Sequence, residues 1–146
     1  MLYFAYGSNM DSKQIRERCP ESRFITTGRL KGFRLVFSRW SEDWGGGVAD
    51  IEPSEGDVVE GVVYEISAND LSSLDSYEGY PLDYFRAYVE VMTPEGAELT
   101  VFAYFANPMG SFPPSRRYLG QLLKGAWERG LSPEYILFLE SIDTVD

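Results

Sequence analysis

Two hydrophobic periods run along this chain, and the places where one gives way to the other mark its elements. The opening run "LYFAY" is short and aromatic and stops at Gly7, which predicts a buried strand. "DSKQIRERC" predicts a short helix, capped by Asn9 or Asp11 and ended by Pro20. "FITTGRL" and "GFRLVFS" predict two strands, and in the second Phe33, Leu35 and Phe37 alternate with polar or exposed positions. "RWSEDWGGG" predicts a loop, its adjacent glycines implying flexibility or close backbone approach. "VADIEPS" and "VVEGVVYEIS" predict two further strands joined by a turn at Glu55-Gly56-Asp57.

The second half changes period. "SANDLSSLDSYEGY" predicts a helix, with Ser67 and Asp70 forming a capping box and Gly79 a left-handed stop. "FRAYVEVM" and "ELTVFAYFA" predict a hairpin around Pro94-Glu95-Gly96. A helix follows from about Ser115 to Arg129, ended by Gly130, and "SPEYILFLESI" opens another with Ser132 as cap and Pro133 in the first turn. Strands dominate and helices do not space them regularly. The expected class is therefore α+β with a largely antiparallel or mixed sheet, not a doubly wound fold. No repeat or linker interrupts residues 1–146, so a single domain is expected.

Composition narrows the chemistry. The formal net charge of −10 disfavours nucleic acid and anionic membrane surfaces as partners. One cysteine, Cys19, permits no internal disulfide, and no basic segment precedes a long apolar stretch, so a cytoplasmic protein is expected. The chain contains no histidine. That removes Ser-His-Asp and Cys-His catalysis and the commonest zinc ligand, so no metal site is expected. Acid–base chemistry near neutrality would fall to a carboxylate, lysine or tyrosine with a shifted pKa.

Glu78 is the candidate. Leu71, Leu74 and Glu78 are spaced by three and four, so they share one helix face, which the leucines turn toward the core. At the helix C-terminus, the dipole and partial burial both disfavour a negative charge and push the carboxyl upward. A solvated glutamate beside an ordinary capping glycine is the alternative that spacing leaves open. Asp75 is the competing carboxylate. Asp75 and Glu78 as a glycosidase pair are disfavoured, because residues so close on one helix point in neighbouring directions. The loop Gly7-Ser8-Asn9, between a strand and a helix, could present N–H groups to a carboxylate or an oxyanion, or could simply turn.

"YFAYGSNM" and "SSLDSYEGY" together resemble the paired signatures of the gamma-glutamylcyclotransferase-like family. "WGGGVADIEPSEGDVVEGVVYEIS" resembles its central segment, and "PPSRRYLGQLLKGAWERGLSPEYILFL" its C-terminal region. The segment "GYPLDYFR" is closer to bacterial-type members than to the animal enzymes. The resemblance implies an α+β domain around a small mixed β-barrel with inserted and C-terminal helices. It implies a cofactor-independent acyltransferase or lyase of glutathione metabolism. In its reaction the α-amine of a γ-glutamyl amino acid or dipeptide attacks its own γ-carbonyl, releasing 5-oxoproline and the free amine. Carried over by motif, Glu78 is the general acid/base. Tyr3, Phe4, Ala5, Tyr6, Gly7, Ser8, Asn9 and Met10 form the binding segment, with Tyr104 and Tyr118 on the cavity. The implied partner is a small γ-glutamyl molecule, and the resemblance allows a homodimer. The alternatives are γ-glutamylamine substrates, γ-glutamyl-acylated small molecules, and a non-catalytic binding module.

Overall fold

The computed structural model describes residues 1–146. Five strands close into a barrel in the order β1-β3-β2-β4-β5. They are β1 (Leu2–Ala5), β2 (Arg23–Ser41), β3 (Gly46–Glu65), β4 (Tyr84–Met92) and β5 (Glu98–Ala106). Four helices surround them: α1 (Ser12–Arg18), α2 (Ala68–Glu78), α3 (Arg116–Arg129) and α4 (Pro133–Glu140). β1 runs antiparallel to β3 and parallel to β5, where Tyr3 pairs with Phe102, so the expected mixed barrel is present. None of the helices is long and apolar enough to cross a membrane.

The expected strand boundaries need one correction. The two strands predicted for residues 24–38 are one strand of 19 residues, and the two predicted for residues 48–67 are one of 20. β2 and β3 form a continuous antiparallel ribbon from Arg23↔Glu65 to Ser41↔Gly46. Glu55-Gly56-Asp57 does not reverse the chain. The register slips there, from Lys31↔Val58 to Phe33↔Pro53, and Gly32 and Gly56, at φ of 82° and 86°, absorb the irregularity. A bulge carries the same glycine signal as a turn, but the ladder resumes on its far side.

Helix boundaries follow the side-chain chemistry closely. The Ser67 hydroxyl accepts from Asp70 N–H, the reciprocal bond completes the capping box, and Gly79 ends α2 in the left-handed region at φ 66°. Ser115 and Ser132 cap α3 and α4 by accepting from Tyr118 and Tyr135 N–H, and Gly130 ends α3. Of the two candidates at α1, the cap is Asp11, whose carboxylate accepts from Gln14 N–H at 3.1 Å. The buried core includes Phe4, Val59, Val62, Val63, Val101 and Ala103 from the strands, and α2 adds the fully buried Leu74.

The adjacent glycines after Trp44 have a packing role. A Cβ on Gly47 would lie 2.0 Å from the carbonyl oxygen of Phe112, and one on Gly46 2.6 Å from Ser115 N. The segment 112–115 lies directly on this backbone, joined by Gly47 N–H to Pro113 C=O at 2.9 Å and Phe112 N–H to Phe37 C=O at 3.0 Å. That contact sets the start of α3 and brings Tyr118 over the barrel mouth.

Candidate active site

A cavity of about 280 Å³ opens between the end of β1, the C-terminal turn of α2, the β2–β3 turn and the start of α3. Its walls include Tyr3, Tyr6, Gly7, Ser8, Asn9, Glu78, Tyr104 and Tyr118. These are the residues that motif and spacing single out, drawn together from positions more than a hundred residues apart. Phe4, Ala5 and Met10 are not on the wall. All three are buried in the core, Phe4 beside Gly61 and Met10 beside Gly125. Successive side chains of a strand alternate, so a continuous motif cannot place all its members on one surface.

Glu78 sits on the last residue of α2, partly buried, on the same face as Leu74. No protein group hydrogen-bonds to its carboxyl, and it is pushed up to about 7. Burial is the main cause; the charge of Arg18 opposes it and that of Asp75 adds to it. A carboxyl in this range is populated in both forms near neutrality, as proton transfer in both directions requires.

Asp75 does something else. It accepts from Arg86 Nε at 3.0 Å and from the Tyr104 hydroxyl at 2.7 Å, so its oxygens are committed. It fixes Tyr104 on the cavity wall and adds negative charge one turn before Glu78.

Backbone groups hold the other phenols. Tyr6 donates to Tyr104 C=O at 2.6 Å, and Tyr84 donates to Ala49 C=O at 2.9 Å. The Tyr118 hydroxyl accepts from Ala49 N–H at 3.0 Å. Burial raises Tyr3, Tyr6, Tyr84, Tyr104 and Tyr118 above the ordinary tyrosine value, so the cavity is walled by neutral phenols. Tyr3 stacks on Phe102 at 5.3 Å and meets Tyr104 edge-on at 5.9 Å, which makes this wall rigid.

The loop after β1 is a single 3₁₀ turn, Ser8–Met10. Gly7 has a negative φ of −116°, so a left-handed backbone is not what it provides. It provides space: a Cβ there would stand 3.3 Å from both Ala49 Cβ and the Tyr118 hydroxyl. Side chains pin the turn. Asn9 Nδ2 donates to the Tyr3 hydroxyl at 3.1 Å, and its Oδ1 accepts from Gln14 Nε2 at 2.9 Å and from Arg18 at 3.2 Å. Tyr64 donates to Asn9 C=O at 2.8 Å.

Sequence reasoning missed Arg18, Trp44, Tyr77 and Tyr84, all on this cavity. Arg18 reads as an ordinary cation in a helix's last turn. Its one signal is its place four residues after Gln14, on the α1 face that meets Asn9. Trp44 reads as loop, yet its ring meets Tyr118 at 5.1 Å. Cys19 is fully buried and pushed up to about 12 by that burial, so it is an inert core thiol.

Residues 3–129 match the family model described as "Gamma-glutamyl cyclotransferase, AIG2-like". The chain is 42% identical to a gamma-glutamylcyclotransferase of Bos taurus, over 99% of this chain and 80% of the bovine one. It is 40% identical to that of Homo sapiens over the same shares of each chain. A solved structure titled "Gamma-glutamyl cyclotransferase" superposes with a TM-score of 0.96 at 39% identity, covering 100% of this chain and 89% of that one.

Proposed function

The chain belongs to the gamma-glutamyl cyclotransferase, AIG2-like family, and from that premise we propose that it is a gamma-glutamylcyclotransferase acting through Glu78. The substrate is a γ-glutamyl amino acid or dipeptide, and the products are 5-oxoproline and the free amine. The observation that carries the assignment to Glu78 is the place of its carboxyl, free of protein hydrogen bonds and pushed up by burial, on the cavity beside the loop after β1.

In this mechanism the Glu78 carboxylate takes a proton from the substrate's α-ammonium. The freed amine attacks the γ-carbonyl carbon, and a five-membered ring closes on a tetrahedral oxyanion. Collapse breaks the bond to the leaving nitrogen, which receives the first proton from Glu78. The regenerated carboxylate then takes the second proton that the ring nitrogen sheds and passes it to the departing amine, which leaves as an ammonium. Tethering supplies much of the rate, since well-oriented intramolecular reactions reach effective molarities of about 10⁵ M or more. The protein's task is therefore to bend the substrate, hold it and carry protons from the attacking nitrogen to the leaving one. Gly7, Ser8 and Asn9 serve the substrate carboxylate or the oxyanion. Tyr6, Tyr104 and Tyr118 wall the ring-closing conformer. The lone buried thiol fits a reducing, cytoplasmic setting.

Glu78→Gln keeps the shape and removes the titrating group. The variant is expected to fold and to release no 5-oxoproline from γ-glutamyl-alanine above background. Wild-type turnover in that variant would exclude the role given to Glu78.

A further inference from the structure

Arg18 is the one cation on the cavity wall. Its guanidinium lies 4.4 Å from the centre of the Tyr77 ring, and one of its N–H groups donates to the buried Asn9 Oδ1 at 3.2 Å. Stacking and that single bond fix the plane of the fork while leaving its remaining N–H groups free of protein partners. A pre-set planar donor array of this kind suits a carboxylate.

Position in the cavity says which carboxylate. The floor is made of buried groups: Tyr3, Tyr6, Asn9, Tyr84, Tyr104 and Tyr118. Tyr77, on which Arg18 stacks, is 60% exposed, so Arg18 belongs to the rim. The reacting atoms of the glutamyl half must reach Glu78 against the floor, and the leaving half extends to the rim. In a γ-glutamyl amino acid the leaving half has its amine tied up in the amide, and its remaining charge is a carboxylate.

Resting on the cyclotransferase reading above, we propose that Arg18 binds the carboxylate of the leaving amino acid, and that this contact makes the enzyme prefer γ-glutamyl amino acids to uncharged γ-glutamyl amides. Arg18 also favours the ionised form of Glu78. Both kinds of substrate feel that effect, so it cancels when their turnover is compared.

The test is the ratio of kcat/KM for γ-glutamyl-alanine to that for γ-glutamyl-alaninamide, which differ only in that terminal charge, with 5-oxoproline as the readout. The wild-type protein is expected to favour the acid by roughly tenfold or more, the scale of a partly solvated charge-assisted hydrogen bond. Arg18→Met is expected to bring the ratio close to unity, and Arg18→Lys to leave an intermediate preference. A wild-type ratio near unity, or the same ratio in wild type and Arg18→Met, overturns the proposal while leaving the reaction in place. No 5-oxoproline from either peptide with the wild-type protein overturns the reaction itself and this inference with it. The wild-type measurement and Arg18→Lys keep the test decisive even where Arg18→Met fails to fold.

Discussion

The Tyr104 hydroxyl donates a 2.7 Å hydrogen bond to Asp75, one turn before Glu78 on α2. A wall residue of the cavity, on β5, is thereby tied to the helix that carries the titrating group. Arg86 closes the arrangement by donating to both Asp75 oxygens, at 3.0 and 3.3 Å. The helix end is fastened to the barrel by a charge, and that same charge bears on Glu78.

Replacing Asp75 by Asn should therefore lower the pKa of Glu78. The negative charge of Asp75, which adds to the raising effect of burial, disappears. The mechanism needs the Glu78 carboxylate, so kcat/KM in the wild type should rise with pH through about 7. In Asp75→Asn the midpoint of that rise should move to lower pH, while an Asn oxygen still accepts from Tyr104. A pH profile of kcat/KM reads the shift.

Glu78 should cost stability where it is ionised. Its carboxyl is raised from 4.5 to about 7 in the folded protein, so the fold holds this proton more tightly than the unfolded chain does. Its favourable contribution is complete below about 4.5 and is lost as pH rises through about 7. Glu78→Gln has no such ionisation. It should be the more stable protein at pH 8, by at most about 3 kcal/mol, and the difference should shrink as pH falls toward 5. Thermal unfolding of both proteins across this range checks the sign.

Tyr118→Phe should damage both binding and stability. The Tyr118 hydroxyl accepts from Ala49 N–H near the start of β3, and its loss leaves that buried donor unpaired at about 1–3 kcal/mol. Urea unfolding should show the loss, and a raised KM for γ-glutamyl-alanine should accompany it. Unaltered stability would mean that another acceptor takes the Ala49 N–H.

Gly47→Ala should be severe although it adds a single methyl. The new Cβ would stand 2.0 Å from Phe112 C=O and 3.0 Å from Phe37 Cβ. Relief requires lifting segment 112–115 from the ribbon, with the cap of α3 and Tyr118. A loss of at least about 3 kcal/mol is expected, together with lost turnover. Ala at Gly120, where a Cβ meets nothing within 4 Å, is the control and should be tolerated.

Short-range chemistry was readable without the fold. The Ser67–Asp70 box, the left-handed Gly79, the serine caps of α3 and α4 and the hairpin at residues 94–96 involve only near neighbours in the chain. Glu78 was legible for the same reason, because its direction follows from Leu74 and Leu71, one and two turns earlier. Where local signals are ambiguous, reading failed. Gly56 looks like a turn residue and proves to sit at a register slip opposite Gly32, since only the partner strand reveals whether a ladder continues.

By itself, then, the sequence determined the helices, their ends, the inward carboxyl and the absence of histidine chemistry, all of which depend on contacts along the chain. Closure of the barrel decided the remainder. It seated Arg18, Trp44 and Tyr84 on the cavity, left Phe4, Ala5 and Met10 in the core, and committed Asp75 to Arg86 and Tyr104. Periodicity says which face of an element is buried. Only the packing of elements distant in sequence says what that face meets.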